Sequence, residues 1–196
     1  IFLILGTFLA TRDFKSNRLF GMLFNHNNQL EELPRDLPDL NQLLEFEKQS
    51  RKNGSDIEFN SLIGDWRFAT VWKNFKNKEN IAASFFLRVF SAKLCLENDS
   101  KNEDSINYKI SNSIQFGLLS LKFVGFANLQ EDQTLLTFYF ESIELYMGSR
   151  PIFIRKIPII TDIKKRPFFA LIALGTKNKW LSARGRGGGL ALWIKD

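Results

Sequence analysis

The hydrophobic and polar positions of the chain follow two periods, and the change between them falls near residue 61. Before that point, apolar side chains recur at the i, i+3, i+4, i+7 spacing of a helix that starts at Pro38-Asp39 and ends at Gly54. Residues 14–24 have a similar spacing. We therefore predict two N-terminal helices in residues 1–60, an extension that caps the domain that follows. The period of the second helix is set by Leu40, Leu43, Leu44 and Glu47.

From residue 61 to residue 196 the period is two, which is typical of strands with one dry and one wet face. In residues 106–116, Tyr108, Ile110 and Phe116 alternate with polar residues. About eight short strands of this kind, separated by turns, predict a mainly β domain that is an antiparallel barrel or sandwich. The candidate strands cover residues 62–70, 85–97, 106–116, 118–128, 134–147, 168–174, 179–184 and 189–194.

Aromatic side chains make up 14% of the chain, and twenty of its 196 residues are Phe. A barrel of about eight strands either holds one small ligand or is filled by side chains. If the rings line a cavity, they would bind an acyl or isoprenoid chain by burial, at about 0.8 kcal/mol per methylene. If they interdigitate, they leave no room for a ligand. The candidate ligand-binding residues are Trp66, Phe68, Phe90, Tyr108, Phe116, Phe123, Phe138 and Phe140.

Positive charge is concentrated at the end of the chain. Residues 150–196 hold eleven Lys and Arg against two Asp, a net of +9, whereas the other 149 residues hold 16 against 19, a net of −3. Within this quarter, residues 148–167 interleave isoleucines with cations. Such a segment suits an anionic membrane surface or a partner protein, and an edge strand with solvated lysines is the alternative. The cations concerned are Arg150, Arg155, Lys156, Lys164, Lys165 and Arg166.

Few residues can carry catalysis or hold a metal. The single Cys95 excludes an internal disulfide and a thiolate zinc site, and the single His26 lies among asparagines in a polar loop. Acidic pairs such as Glu131-Asp132 fall in turns, where they are not a positioned acid and base. We predict a protein that is not an enzyme and that has no metal and no cofactor, unless a bound lipid counts as one.

The glycine-rich run over residues 184–189 allows three interpretations. It is a tight turn between two strands, a short RGG segment that binds nucleic acid, or a loop that cradles a phosphate. The run lacks the strand-loop-helix context and the Lys-Ser/Thr of a phosphate-binding loop, and Leu190–Trp193 has the pattern of an ordered strand. We favour the turn and expect no nucleic-acid partner.

Two local patterns together resemble the PAP/fibrillin family, the plastid lipid-associated proteins. Gly64-Asp65-Trp66 opens the first strand, and Trp180-Leu181 with Arg184-Gly185-Arg186-Gly187 ends the chain. The resemblance covers roughly residues 40–196 and implies a lipocalin-like barrel. In such a barrel an Arg of the last strand lies over the Trp ring and closes one end, a contact of about 0.5–2 kcal/mol. It therefore implies a barrel-closing role for Gly64, Trp66, Arg184 and Arg186.

The resemblance also implies a function. Ala69-Thr70 and Ser182-Ala183 depart from the family pattern, so the chain would be a divergent member. The family holds fatty acids, carotenoids or prenylquinones and associates with thylakoids or lipid bodies. We expect noncatalytic binding of a hydrophobic ligand by a peripheral protein at a thylakoid membrane surface. The alternative is a ligand-free subunit or assembly factor that docks on a photosynthetic membrane protein complex.

Overall fold

The computed structural model describes residues 33–34, 36–73, 78–79, 92–98, 108–130, 134–175, 177 and 179–196. Two helices precede the strands: α1 spans Leu40–Asn53 and α2 spans Phe59–Leu62. The predicted helix over residues 14–24 lies outside the described residues. The strands are β1 Gly64–Lys73, β2 Lys78–Glu79, β3 Lys93–Asn98, β4 Tyr108–Phe116, β5 Leu119–Leu129, β6 Leu135–Met147, β7 Arg150–Lys156, β8 Phe168–Gly175, β9 Trp180–Gly185 and β10 Leu190–Lys195.

Eight of the described strands close into one antiparallel ring, which confirms the predicted β-barrel. Around the ring the order is β1, β3, β4, β5, β6, β8, β9 and β10, and β10 pairs again with β1. The two other strands lie outside the ring, β2 on β1 and β7 on β6. A closed ring leaves its members without free edges, which removes sites where other chains could add a strand.

The barrel interior is built from the alternation seen in the sequence. Leu96 of β3 and Ile110 of β4 are direct cross-strand partners, and both are fully buried. A glycine of β5 lies where the register of its pairing with β6 changes. Opposite the step from Val124 to Gly125, β6 has one extra residue. A Cβ on Gly125 would overlap the Tyr139 carbonyl group, so only glycine fits at this bulge.

Helix α1 packs on the outside of the barrel and forms a second apolar layer. Asp39 caps it: its carboxylate accepts a hydrogen bond from the Gln42 N–H at 2.9 Å, and the Gln42 side-chain oxygen accepts one from the Asp39 N–H at 2.9 Å. The helix ends at Gly54, as predicted. The buried residues of this layer are Leu43 of α1, Ala69 of β1, Ile172 of β8, Trp180 of β9, and Leu190, Leu192 and Ile194 of β10.

The first strand starts later than predicted. Phe59–Leu62 form a helical turn, so Leu62 is not part of the strand, and β1 begins at Gly64 with a φ of 130°. The Leu62 carbonyl accepts a hydrogen bond from the Trp66 indole Nε1 at 2.7 Å. Residues 33–196 form one compact unit, in which α1 and the barrel lie together.

Candidate functional site

Two hairpins of the described chain continue past the closed ring. On β6, only Leu135–Thr137 pair with the next ring strand, β8, whereas Ser142–Met147 pair with β7. On β4, pairing with the described part of β3 ends at Ser113. We call the outer parts of these hairpins, residues 114–121 and 142–156, the extension. It is a four-stranded sheet made by the ends of β4, β5 and β6 together with the whole of β7.

One face of the extension is apolar, and it continues the inner face of the barrel. In the innermost cross-strand row, Phe123 is buried within the barrel. The next row joins Ile114, Leu121, Leu145 and Phe153, and the last joins Phe116, Leu119, Met147 and Arg150. Phe153 and Met147 are each 52% exposed. The alternation of apolar and polar residues that fills the barrel interior therefore continues into the part of the sheet that lies beyond the ring.

The large apolar side chains that are most exposed in the described chain gather in this region. Each has more than 40% of its surface exposed, and each belongs to the extension, the Gly117-Leu118 turn or the segment that leads from β7 to β8. Exposed apolar side chains concentrated in one region of a folded domain are typical of a protein or membrane interaction site. These residues are Phe116, Leu118, Leu119, Met147, Ile152, Phe153, Ile154, Ile159, Ile160 and Ile163.

The opposite face of the extension is polar. Its rows join Ser113, Lys122, Glu144 and Ile154, and Gln115, Ser120, Tyr146 and Pro151. Glu144 accepts hydrogen bonds from the Tyr146 hydroxyl at 2.7 Å and from Ser142 Oγ at 3.1 Å. The bond to Glu144 raises the pKa of the Tyr146 phenol. The extension is thus an amphipathic sheet.

Cations lie along β7, which is the outer edge of the extension, and along the segment that leads from β7 to β8. Residues 148–167 hold six Lys and Arg against one Asp, a net of +5. Strand β7 is exposed along its whole length, and Arg150 and Arg155 end two of the cross-strand rows on the apolar face. Lys156 is exposed at the end of β7, and Lys164 and Lys165 are exposed in a 3-10 turn.

Arg166 differs from the other predicted surface cations because both its side chain and its carbonyl make contacts within the folded domain. Its guanidinium lies 4.5 Å from the centre of the Tyr139 ring, and its Nε donates to the Ile160 carbonyl at 2.9 Å. Its own carbonyl accepts a hydrogen bond from Arg186 Nη1 at 2.7 Å. Arg166 therefore fixes the segment between β7 and β8 on the barrel.

The predicted ligand-binding residues that the structure describes divide into three groups. Four of them, Trp66, Phe68, Phe123 and Phe138, are buried, and Phe140 is half-buried beside them. Phe116 was expected to face inward, but it is 44% exposed, because β4 runs past the ring. Tyr108 is half-buried and stacks on Phe59 of α2. Phe90 lies outside the described residues.

The buried rings contact one another along neighbouring strands of the barrel wall, from β1 through β10, β8 and β6 to β5. Successive centroids along this series are 4.9–6.4 Å apart, the range of ordinary aromatic contacts. Five of these six side chains are at most 7% exposed, so other side chains occupy the space beside them. The rings in order are those of Phe68, Trp193, Phe169, Phe138, Phe140 and Phe123.

The barrel end at Trp66 is closed by a lysine. Trp66 is 1% exposed, and Lys195 of β10 places its Nζ 5.1 Å from the centre of the indole. A Cβ on Gly64 would lie 2.8 Å from Lys195 Cε, so the glycine also leaves space for that side chain. The predicted arrangement of Gly64, Trp66 and a cation is present, but the prediction that Arg184 and Arg186 supply the cation is wrong.

Arg184 instead joins the outer face of the barrel to α1. Its Nε and Nη2 donate to the two carboxylate oxygens of Glu47 at 2.6 and 2.5 Å, and its Nη1 donates to the Gly188 carbonyl at 2.6 Å. Arg51, one turn after Glu47, adds a bond at 2.6 Å. The sequence held a signal for this pair, because Glu47 is a carboxylate at an apolar position of the helix period.

The described residues offer little that resembles a catalytic or metal centre. Burial, together with Asp65 and Glu97 nearby, raises the pKa of Cys95 to about 12, so its thiol is protonated at neutral pH. No group of three or more His, Cys, Asp or Glu in the described residues could hold a metal ion. His26 lies outside that part of the chain. No helix within it is both long and apolar enough to cross a bilayer.

Comparison of the chain with models of protein families found no match, and comparison with curated proteins found none either. The resemblance to the PAP/fibrillin family therefore stays a prediction, made from residues of the first strand and of the last two strands.

Proposed function

We propose that this protein is a noncatalytic, peripheral membrane protein that binds an anionic lipid surface through the extension. The observation that carries the proposal is the extension itself, a sheet with one exposed apolar face whose rows end in cations at the outer edge. The predicted resemblance would make this surface a thylakoid membrane, and that location is part of the proposal. The hydrophobic molecule bound would be the lipid of the bilayer itself.

The apolar and the cationic groups of the extension act together in this proposal. Leu118 at the turn is 74% exposed, and Phe153 of β7 is 52% exposed. Full burial of such a side chain is worth about 1.5–3 kcal/mol, and each cation near an anionic membrane adds about 1 kcal/mol. Stable membrane attachment usually takes two signals of this size, one apolar and one electrostatic. The extension provides both.

A ligand held inside the barrel is the less favoured form of the same function. The rings of Phe68, Phe138 and Phe123 lie against other rings on the inside of neighbouring strands, and each is at most 6% exposed. A bound acyl chain would have to separate these rings. The apolar face of the extension offers acyl chains a surface without that rearrangement, which is why we place lipid contact there.

Docking on a membrane protein complex is the second candidate. Among the described strands, β7 pairs with β6 and with no other, so one edge of its backbone is available to a partner strand. Pairing of two copies of this chain through β7 is disfavoured. An antiparallel pair centred on Phe153 would place Arg150 opposite Lys156, and like charges repel there.

Vesicle co-sedimentation tests the lipid proposal. We expect the protein to sediment with phosphatidylcholine vesicles that contain phosphatidylglycerol and to stay in solution with phosphatidylcholine alone. Replacing Arg155 and Lys156 by Gln should weaken binding by about 30-fold, since two cations supply about 2 kcal/mol. Lys109→Gln is the matched control, because Lys109 is an exposed cation of β4 within the ring.

The apolar contribution is tested in the same assay with Leu118→Ser and Phe153→Ser combined. This variant should keep its unfolding midpoint, because both side chains are exposed, and should bind vesicles at least tenfold more weakly. Equal binding to neutral and anionic vesicles would contradict the proposal. Binding only to native membranes, lost after the membranes are treated with protease, would support the second candidate instead.

A further inference from the structure

A second surface feature lies away from the extension, between α1 and the turn that joins β9 to β10. It is a half-open cleft of about 250 Å³. Its polar lining comes from side chains of α1 and from the glycine-rich turn that the sequence analysis singled out. The lining residues are Glu47, Arg51, Phe168, Ala170, Leu171, Ile172, Arg184, Gly185, Arg186 and Gly188.

The cleft has an excess of positive charge. Three arginines, Arg51, Arg184 and Arg186, line it together with one acidic residue, Glu47, which gives a net charge of +2. Glu47 and Arg184 neutralise each other in a two-point ion pair. The excess charge therefore lies on Arg51, whose side chain is 72% exposed, and on Arg186.

These two arginines keep donors for a further partner. Arg51 uses Nη2 for Glu47, and Arg186 uses Nη1 for the Arg166 carbonyl. A guanidinium has five N–H donors in a planar fork, which matches the oxygens of a phosphate or a carboxylate. Between them, Arg51 and Arg186 present the donors that an oxyanion needs.

The remaining wall of the cleft is apolar and small. It is formed by Phe168, Ala170, Leu171 and Ile172 of β8. At about 30 Å³ per water molecule, the cleft volume corresponds to about eight waters. That is less than the roughly 300–1,000 Å³ of a pocket for a drug-sized molecule. The cleft therefore has room for a charged head and a short apolar group, and not for a whole lipid.

We propose that this cleft binds a small organic anion, with its phosphate or carboxylate group between Arg51 and Arg186 and its apolar part against the wall formed by β8. The site shares no residue with the extension, so it does not depend on the proposed membrane function. It gives the glycine-rich turn a binding role in addition to its role as a turn. Arg184 is a positioning residue there, because its pair with Glu47 holds α1 beside the turn.

Titration calorimetry with three probes tests this site. Phenyl phosphate carries both the charge and the apolar ring, inorganic phosphate carries the charge alone, and benzyl alcohol carries the ring alone. We expect phenyl phosphate to bind most tightly and benzyl alcohol to bind least. The Arg51→Gln, Arg186→Gln double variant should weaken phenyl phosphate binding by about tenfold or more. Lys48→Gln should leave it unchanged, because Lys48 is an exposed cation of α1 that does not line the cleft.

Four results would contradict the proposal or a part of it. Benzyl alcohol binding as tightly as phenyl phosphate, phenyl phosphate binding equally to the double variant and the wild type, or no binding of phenyl phosphate by the wild type would each overturn the proposal. Inorganic phosphate binding as tightly as phenyl phosphate would overturn the role of the apolar wall. If the double variant unfolds at a lower urea concentration than the wild type, Arg186→Gln alone serves as the test, because Arg186 is exposed and its side chain hydrogen-bonds to a carbonyl.

Discussion

Glu47→Gln removes the charge that joins α1 to the barrel and keeps a side chain of nearly the same shape. In the native protein both oxygens of the Glu47 carboxylate accept hydrogen bonds from Arg184, at 2.6 and 2.5 Å. The amide of Gln has one acceptor oxygen and an NH₂ group that would face a guanidinium N–H. Arg184 would thus be left with an unpaired charge, and its side chain is only 18% exposed.

We expect this change to lower the free energy of unfolding by about 2–3 kcal/mol. Removing one partner of a fully buried ion pair costs about 3–5 kcal/mol. The cost here is lower because Arg184 keeps its bond to the Gly188 carbonyl and reaches solvent in part. Urea unfolding followed by tryptophan fluorescence measures the difference. Arg51→Gln is the control, since an exposed ion pair is worth about 0–1 kcal/mol.

The same pair predicts a dependence on pH. Burial alone raises the pKa of Glu47, but the hydrogen bonds and charges of Arg184 and Arg51 outweigh it, so its pKa lies below the usual value. A carboxyl whose pKa is lowered by folding adds stability above its unfolded pKa, about 4.3, and this stability is lost as the pH falls through the folded pKa. The difference between wild type and Glu47→Gln should therefore be full at neutral pH and shrink as the pH falls below about 4.

Three results would refute this reasoning. One is a Glu47→Gln protein that is destabilised no more than Arg51→Gln at neutral pH. A second is a difference from the wild type that stays constant down to acidic pH while both proteins remain folded. A double-mutant cycle with Arg184→Met gives the coupling energy of the pair directly, and a coupling near zero would also refute it.

Three further predictions concern the barrel. Trp66→Ala should lower the free energy of unfolding by about 3–5 kcal/mol, because the ring is buried and bonds the Leu62 carbonyl; an unchanged melting curve would disprove its closing role. Gly64→Ala should cost about 1–3 kcal/mol in urea unfolding, since a φ of 130° strains any residue with a Cβ; a neutral effect would count against that strain. Iodoacetamide should label Cys95 much more slowly in the native protein than in urea, because its thiol pKa is raised to about 12, and equal rates would show that the thiol is not protected.

Several elements follow from the sequence because short-range physics determines them. The capping pair of Asp39 and Gln42 and the stop at Gly54 define α1 without help from the rest of the chain. The strands of the ring lie where the period of two is found, within a few residues, although residues 85–91 of the candidate strand over 85–97 lie outside the described residues. The cation over Trp66 is different: the sequence predicts the kind of contact, but Lys195, and not Arg184, reaches the ring.

Strands β9 and β10 show what the alternation of apolar and polar residues does not determine, namely which face of a strand points into the barrel. Residues 180–183 of β9 and 190–194 of β10 are buried on both faces, because the barrel interior covers one side and α1 the other. With apolar or small residues on both faces, the pattern does not tell which face is inner. The tertiary structure decides it by placing Trp180 and Arg184 on the outer face, where Arg184 meets Glu47.

The extension shows the same division between local pattern and tertiary structure. By itself the sequence determined that Ile110 and Phe116 share one apolar face of β4 and that cations follow in residues 148–167. Only the tertiary structure decided that the ring closes on the first part of β4 and on the first part of β6, so that Ile110 is buried while Phe116 is exposed. The physical reason is that alternation is a property of one strand, whereas burial depends on where neighbouring strands begin and end.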